Sequence, residues 1–336
     1  MPFIITLTFV VAGVVATIAL IIALSWLIAR LWCAPRRRSS SARPQDHALP
    51  WEAISFKSKD VMIAGWLIPW HFMFAPAPTI IIVHGWSGSR GDMLPAARAL
   101  YQTGFSVVLF ETRGHGASGT DGPITVLKFA EDIRACLDYL DTRQDVDQRR
   151  IGLLGHSLGG SSALLAASMD RRVRAVVSCS AFADPRTITA DLLRRFYVPI
   201  WPFLALVCTF IERWLGTTME DVAPENRIGQ IEVPLLLLHG EHDRFIPPAH
   251  AARLYAMADP DRAQMRLLAG RRHFDVIKDA RCGAEIVQFF RAHLIGGACA
   301  DQSSDHTVPA LASHGVSFHA RCPSKQMDEE QPSATP

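Results

Sequence analysis

A serine flanked by glycines is the residue best placed to do chemistry in this chain. Ser157 lies in the motif GHSLGG, residues 155–160, after a short apolar run that ends at Leu154 and before a stretch of small residues. Glycines at both ends of a G-x-S-x-G motif let a strand turn sharply into a helix, which holds the serine hydroxyl strained and exposed. This setting favours a nucleophilic serine over a plain Gly/Ser turn.

An acid and a histidine must follow if Ser157 is a nucleophile. A serine hydroxyl is weak until a base removes its proton, and an acid must orient the histidine that acts as this base. In parallel sheets that carry this motif, the acid and then the histidine come later in the chain, each just past a strand. A run of four leucines leads to Asp243, and a strand over 265–268 leads to His273. We predict that these two residues complete a catalytic triad; Glu241, the competing acid, lies nearer the strand end.

Backbone N–H groups near the serine predict where a reaction intermediate would be stabilised. Attack on an acyl carbon places negative charge on its oxygen, and two preorganised N–H donors stabilise that charge. Leu158 follows the nucleophile at the start of the predicted helix and offers one donor. We predict the N–H of Trp86, in the turn after the strand over 79–83, as the second, with its side chain shaping the acyl pocket.

The remaining candidate ligands indicate neither a metal site nor a cofactor. The seven cysteines are scattered without a C-x-x-C pair, and in a chain of 336 residues we interpret them as reduced, mostly buried thiols. His84 and His239 are predicted to support loops at strand ends, and His156 is predicted to pack beside the serine. Metal-ligand spacing is also absent from three histidines near the C-terminus, His306, His314 and His319.

Short apolar runs without clean alternation recur through the middle of the chain. Strands buried on both faces have this pattern, and helical stretches such as 127–140 lie between them. The alternation predicts an α/β fold with a doubly wound, mostly parallel sheet. Ahead of it, 52–58 and 63–69 around Lys59 and Asp60 predict a hairpin at a sheet edge. The apolar runs are residues 79–83, 106–110, 151–154, 173–178 and 234–238.

One long apolar stretch, about residues 184–230, interrupts this alternation between two predicted strands. It is too long for a simple crossover and too apolar for a solvated loop. We therefore predict a helical cap over the active site, which Pro199 and Pro202 break into at least two helices.

The first 34 residues are predicted to form a transmembrane anchor. Residues 3–29 carry no charge, and a helix of this length would span about 40 Å, more than the roughly 30 Å hydrocarbon core of a bilayer. A cleaved signal peptide is the rival interpretation, but the start lacks Lys and Arg, and the run is longer than an ordinary signal core.

Arginines that follow the apolar run predict its orientation. The positive-inside rule places the more basic flank, and with it the catalytic domain, in the cytoplasm. Residues 35–50, rich in Ser, Pro and Arg, are predicted to be a basic linker that holds the domain close to the membrane. The flanking arginines are Arg30, Arg36, Arg37, Arg38 and Arg43.

Composition and net charge limit the domain organisation and the class of partner. With 49% hydrophobic residues the chain can bury one sizeable core, so we predict one catalytic domain over 51–296 and a polar, disordered tail over 297–336. Lys and Arg (34) nearly balance Asp and Glu (32), and a net charge of +2 provides no overall field that would attract nucleic acid. We therefore expect no nucleic-acid partner.

These motifs, in this order, resemble the α/β-hydrolase superfamily, in particular its monoacylglycerol-lipase and serine-aminopeptidase-like branch. Similar proteins usually have Asp where this chain has Glu111, a change that keeps the charge. The resemblance covers about residues 51–294 and implies the α/β-hydrolase fold and hydrolysis through an acyl-enzyme without metal or organic cofactor. The matching elements are HGW at 84–86, RGHGAS at 113–118, GHSLGG at 155–160, the Asp243 loop and His273.

We expect a serine hydrolase that cleaves carboxylic esters of a small-molecule or lipid-like acyl substrate. The apolar cap and the membrane anchor favour a hydrophobic acyl group. A serine aminopeptidase or amidase is an alternative, although no carboxylate for a substrate amine is identified, and a thioesterase is another. From a different class, the same scaffold could serve as a membrane-tethered binding module. Acyl length, leaving group, oligomeric state and pathway are not set by the sequence.

Overall fold

Eight strands form one sheet in the computed structural model, which describes residues 2–38, 40–70 and 76–296. The strands are β1 (Glu52–Ser58), β2 (Val61–Ile68), β3 (Ala77–Val83), β4 (Ser106–Glu111), β5 (Val146–His156), β6 (Val173–Cys179), β7 (Leu235–Gly240) and β8 (Ala263–Leu268). Their order is β1-β2-β4-β3-β5-β6-β7-β8. β2 runs antiparallel to β1 and β4, and the other pairs are parallel. The predicted mostly parallel α/β sheet is therefore confirmed, with the predicted hairpin at its edge.

Nine α-helices accompany the sheet in the same residues. They are α1 (Pro2–Trp32), α2 (Leu94–Tyr101), α3 (Val126–Leu140), α4 (Leu158–Met169), α5 (Pro185–Arg195), α6 (Ile200–Leu215), α7 (Pro224–Arg227), α8 (Ala249–Met257) and α9 (Ala280–Leu294). Short 3-10 helices lie at Pro44–His47, Arg90–Met93 and Ile228–Gln230. α9 is not among the predicted helices, although its buried Cys282, Ile286, Phe289 and Phe290 recur at helical spacing.

Helices cover both faces of the sheet, which explains the lack of alternation in its strands. In β3, Ile80 and Ile82 pack in one core with side chains of α2 and α9. Ile81 and Val83 point the other way, into a core built with α3 and α4. Because both faces are buried, every position of the strand is apolar or hydrogen-bonded. β5 begins earlier than predicted because residues 146–150 are mostly polar and hide the start of the strand.

The cap lies between β6 and β7 and consists of α5, α6 and α7. Asp184 caps α5 by accepting hydrogen bonds from the N–H groups of Arg186 and Thr187. The chain leaves helical geometry between α5 and α6, where Pro199 precedes the first residue of α6. The predicted break into at least two helices is thus observed, and Gly216, with φ 73°, ends α6.

α1 is long and apolar enough to be a candidate membrane span by length and composition. Its last turns pack on α6, where Ala29 and Cys33 are buried with Val207, Cys208 and Ile211. The following segment, predicted as a linker, lies against the domain, since Leu49 and Pro44 are buried. The predicted tail, 297–336, lies outside the described residues.

Candidate active site

Ser157 occupies a sharp turn between β5 and α4. Its φ of 57° is in the left-handed region that a residue with a side chain rarely adopts, as expected for a strained elbow. The flanking glycines are required by packing: a Cβ on Gly155 would clash with the carbonyl of Gly159, and a Cβ on Gly159 would clash with the carbonyl of His84. The elbow therefore holds the serine at the C-terminal end of the central strand.

Asp243 and His273 meet beyond the C-terminal ends of two neighbouring strands, β7 and β8. His273 Nδ1 lies 2.7 Å from Asp243 Oδ2, and both side chains are buried. The other carboxylate oxygen accepts hydrogen bonds from the N–H groups of Phe245 and Ile246, each 2.9 Å long. Glu241, the competing acid, is exposed and instead accepts a hydrogen bond from a backbone N–H. The structure thus places Asp243, and not Glu241, against the histidine.

The charge of Asp243 is stabilised by its neighbours. Burial alone would raise its pKa, but His239, whose Nε2 lies 3.4 Å from Oδ2, and the hydrogen bond from His273 outweigh burial and hold the pKa below its ordinary value. The carboxylate is therefore ionised throughout the neutral range and favours a proton on the facing nitrogen of His273. His239 also donates to the carbonyl of Ile246 (2.8 Å), which ties the strand end to the Asp243 loop as predicted for this histidine.

Ser157 and His273 line one cavity of about 800 Å³. No hydrogen bond joins the Ser157 hydroxyl to His273 in the described part of the chain, so the structure brings these two residues to the same cavity but only the acid and the histidine into direct contact. Such contacts commonly tighten only when substrate binds. His156 fixes the histidine loop to the elbow, because its Nε2–H donates to the carbonyl of His273 at 2.9 Å.

The N–H groups of Trp86 and Leu158 lie in residues that line the same cavity. Neither N–H donates to another group among the residues that the structure describes. Leu158 is the first residue of α4, and the first N–H groups of a helix have no intrahelical acceptor. Both donors are thus available to a ligand beside Ser157.

Buried histidines shape the loop that carries Trp86. His84 donates from Nδ1 to the carbonyl of Gly85 (2.8 Å) and accepts the N–H of Thr112 (3.2 Å), so it supports the loop as predicted. Burial, together with the neighbouring His115, lowers the pKa of His84 to about 3. The ring is therefore neutral, and a charged group is kept away from the loop.

A buried ion pair that is not predicted from the sequence holds the segment that follows β4, next to this loop. Arg113 is fully buried, with Nε 2.9 Å and Nη2 2.7 Å from the same oxygen of Asp132. The segment reaches the active site through His115, whose Nε2 accepts the N–H of Ser87 at 3.2 Å. The signal was present in the sequence, since Asp132 is the one acid within the buried stripe of α3. The ion pair has a positioning role, because it fixes the loop after β4 to α3.

A second cavity, of about 840 Å³, adjoins the first and differs from it in charge. Phe245, His273 and Phe274 line both cavities. The second cavity is also lined by Arg195, Glu241, Arg244 and Arg272. The first cavity is lined mostly by apolar side chains. His273 therefore stands between an apolar space and a charged one.

No cluster that could hold a metal ion exists among the described residues, and the predicted thiols are found there as free, buried cysteines. They are Cys33, Cys136, Cys179, Cys208 and Cys282. The predictions for Cys299, Cys322 and the three C-terminal histidines lie outside the described part of the chain.

Comparisons with known proteins agree with this architecture. Residues 78–206 match the sequence profile of a family described as alpha/beta hydrolase fold. The Escherichia coli protein YfhR is 31% identical over 242 residues, which is 68% of this chain and 76% of YfhR. Among solved structures, the esterase Pf2001 of Pyrococcus furiosus is similar with a TM-score of 0.64 and 21% identity, covering 77% of this chain and 97% of Pf2001. Est1E of Butyrivibrio proteoclasticus, solved with ferulic acid bound, gives 0.57 and 18%, covering 72% of this chain and 100% of Est1E.

Fold, elbow and sequence relationship converge on one assignment. The family profile matches residues 78–206, which include the turn of Ser157 between β5 and α4, and YfhR is related over most of its own length. The chain belongs to the α/β-hydrolase fold family.

Proposed function

We propose that the protein is a serine hydrolase that cleaves carboxylic esters through an acyl-enzyme intermediate. The observation that carries this proposal is the Asp243–His273 pair, joined at 2.7 Å, beside a strained serine in the same cavity. In this mechanism Ser157 is the nucleophile, His273 the general base and Asp243 the residue that orients the imidazole.

The reaction proceeds in two halves. His273 takes the proton of Ser157 as the hydroxyl oxygen attacks the ester carbon, and the N–H groups of Trp86 and Leu158 stabilise the oxyanion. The same histidine then gives that proton to the departing alcohol, which leaves an acyl-enzyme. In the second half a water molecule, deprotonated by His273, attacks the acyl carbon, and the serine is released with its proton restored. None of these steps requires a metal ion or an organic cofactor.

Apolar lining of the cavity supports a hydrophobic acyl group. Cap side chains that face the cavity include Ile188, Leu192, Phe196, Ile211 and Leu215. The same fold in the esterase Pf2001 agrees with an ester as the substrate class. We further propose that α1 spans a membrane once, with the catalytic domain on the cytoplasmic side, which would keep the enzyme close to lipid-like esters.

Labelling with a fluorophosphonate probe tests whether the serine is activated. Wild-type protein is expected to react covalently at Ser157, and Ser157→Ala is expected to lose the label. The matched control is Ser168→Ala, a serine at the other end of α4 whose hydroxyl bonds to the backbone of its own helix. A well-folded wild type that remains unlabelled would contradict the proposal and favour a membrane-tethered binding module.

A substrate panel then tests the choice of ester. We expect p-nitrophenyl esters to be hydrolysed in preference to aminoacyl p-nitroanilides and to acyl thioesters, with all activity lost in Ser157→Ala. Preference for the anilides would make the enzyme an aminopeptidase or amidase, and preference for the thioesters would make it a thioesterase. Either result would overturn the ester assignment while leaving the nucleophile in place.

A further inference from the structure

The last turn of α1 is fixed to the catalytic domain, beginning with apolar packing. Ala29 and Cys33 are buried against α6 with Val207 and Ile211, and Trp32 packs at the edge of the same cluster. The stripe continues back along α1, because Ser25, one turn before Ala29, is also fully buried. α6 therefore packs along the C-terminal end of α1.

Backbone hydrogen bonds tie the end of α1 to the active site itself. The N–H of Ile124, in the loop before α3, donates to the carbonyl of Cys33 at 2.7 Å. Three residues farther on, the N–H of Arg36 donates to the hydroxyl of Ser87 at 3.1 Å. Ser87 follows Trp86 directly in the loop that carries the proposed oxyanion donor. The end of α1 thus has a set position relative to Ser157.

This position makes α1 part of the cavity wall. Leu31, Trp32 and Cys33 line the cavity that contains Ser157, together with residues of the cap. Four of the lining side chains are large, apolar and exposed: Leu31 is 62% and Phe196 is 61% accessible, and Phe245 and Phe274 are about half accessible. A cavity residue that is also exposed marks an opening. The part of the opening that Leu31, at the end of α1, and Phe196, in the cap, contribute to is called the mouth below.

The surroundings of this mouth suit a bilayer better than water. Near Phe196 the cap exposes Tyr197 at 95% and Trp201 at 86%, and α6 carries no charge before Glu212. Exposed apolar groups that cluster beside a candidate membrane span mark a lipid-facing surface. A helix of 30 residues is about 45 Å long, which exceeds the roughly 30 Å hydrocarbon core, so the last turn of a spanning α1, with Leu31, would lie at the membrane interface.

We propose that Leu31 and Trp32 of α1, with the following Cys33, form a wall of the acyl-binding site, and that the fatty acyl chain of a membrane lipid enters from the bilayer between Leu31 and Phe196. This inference rests on the proposed function for the reaction at Ser157. The inference goes beyond the proposed function because the end of α1 becomes a part of the substrate site that sets which acyl chains are accepted.

A chain-length profile tests the wall. Leu31→Trp adds bulk at the mouth, where an exposed side chain can be replaced without disturbing the core. For the full chain in phosphatidylcholine vesicles, we expect kcat/KM on p-nitrophenyl dodecanoate, relative to butanoate, to fall roughly 10-fold or more, because methylenes excluded from the cavity lose their apolar burial. Leu27→Trp, one turn earlier on α1 and outside the cavity, is the matched control and is expected to keep the wild-type profile. An unchanged profile in Leu31→Trp would overturn the proposal.

A binding measurement separates this inference from the proposed chemistry. A monoacylglycerol with a diazirine at the end of its acyl chain is placed in the same vesicles with the Ser157→Ala protein and photolysed. We expect cross-links on the cavity residues Ile188 and Leu192, lost in the double variant with Leu31→Trp and retained with Leu27→Trp. Cross-links in this pattern, together with a wild-type protein that hydrolyses no ester, would refute the proposed function alone. Equal labelling with and without Leu31→Trp, or none in the cavity, would refute the entry route.

Discussion

Apolar side chains are buried in the sheet, whereas large apolar side chains of the cap are exposed. Every residue of β3 is buried, and the core on each face of the sheet is closed by helices. The cap together with α1 instead leaves large apolar groups exposed, among them Trp201 and Tyr197. Both regions contain many apolar residues, so the difference lies in what each region faces.

This contrast in burial corresponds to different roles for the two regions. The sheet ends hold Ser157, Asp243 and His273 on loops anchored by buried hydrogen bonds, as precise chemistry requires. The cap and the end of α1 surround these residues with apolar surface that is only partly covered, as expected of a region that receives an apolar ligand. Changes on the sheet side should therefore affect catalysis and stability, and changes on the cap side should affect which substrates are accepted.

The largest expected effect is at the acid on the sheet side. Asp243→Asn is expected to lower kcat about 10⁴-fold with little loss of fold, because the amide forces the wrong tautomer on His273. Glu241→Gln, at the exposed acid two residues earlier, is the control and should be nearly neutral. Steady-state hydrolysis of p-nitrophenyl butanoate measures both. If Glu241→Gln were the more damaging change, the role proposed for Asp243 would be wrong.

Stability provides the next test, because it compares the two regions directly. Ile81→Ala, in the buried centre of β3, is expected to lower the free energy of unfolding by about 2 to 5 kcal/mol through the cavity that it leaves. Trp201→Ala removes a larger side chain from the cap, yet we expect a change within about 0.5 kcal/mol because that side chain is exposed. Urea unfolding of the full chain in a mild detergent measures both. Equal losses would break the contrast between sheet and cap.

The smallest expected effect is a pH dependence that originates beside the elbow. Burial, together with the nearby His273, lowers the pKa of His156 to about 3 from its ordinary value of 6.5. Below pH 6.5 the unfolded chain binds a proton at this residue that the folded chain does not, so stability falls as the pH drops from 6.5 towards 3. Between pH 8 and pH 5 the wild type should lose about 2 kcal/mol more than His156→Gln.

Urea unfolding at those two pH values checks this expectation. Asp243 does not contribute in this window, because its lowered pKa affects stability only below the ordinary range of a carboxyl group. His242→Gln, at an exposed histidine, is the control and should keep the wild-type pH dependence. A His156→Gln protein with unchanged pH dependence would show that the histidine is not buried as a neutral ring.

The amino-acid sequence by itself determined the class of sheet, the elbow and the candidate membrane helix. These features are local: an apolar run defines a strand buried on both faces, glycines on either side of Ser157 define a sharp turn, and an uncharged run of membrane length defines α1. The break of the cap at Pro199 is local as well, because proline cannot continue the preceding helix.

Only the tertiary structure decided which distant residues meet. The pairing of Arg113 with Asp132, the exposure of Glu241 and the packing of α1 on α6 depend on how helices and loops cross the sheet. Sequence spacing carries no information on such contacts, because the residues involved are brought together by the burial of whole elements and not by the period of any one of them. The position of Leu31 beside the cavity of Ser157 is the clearest case, since 125 residues of chain lie between them.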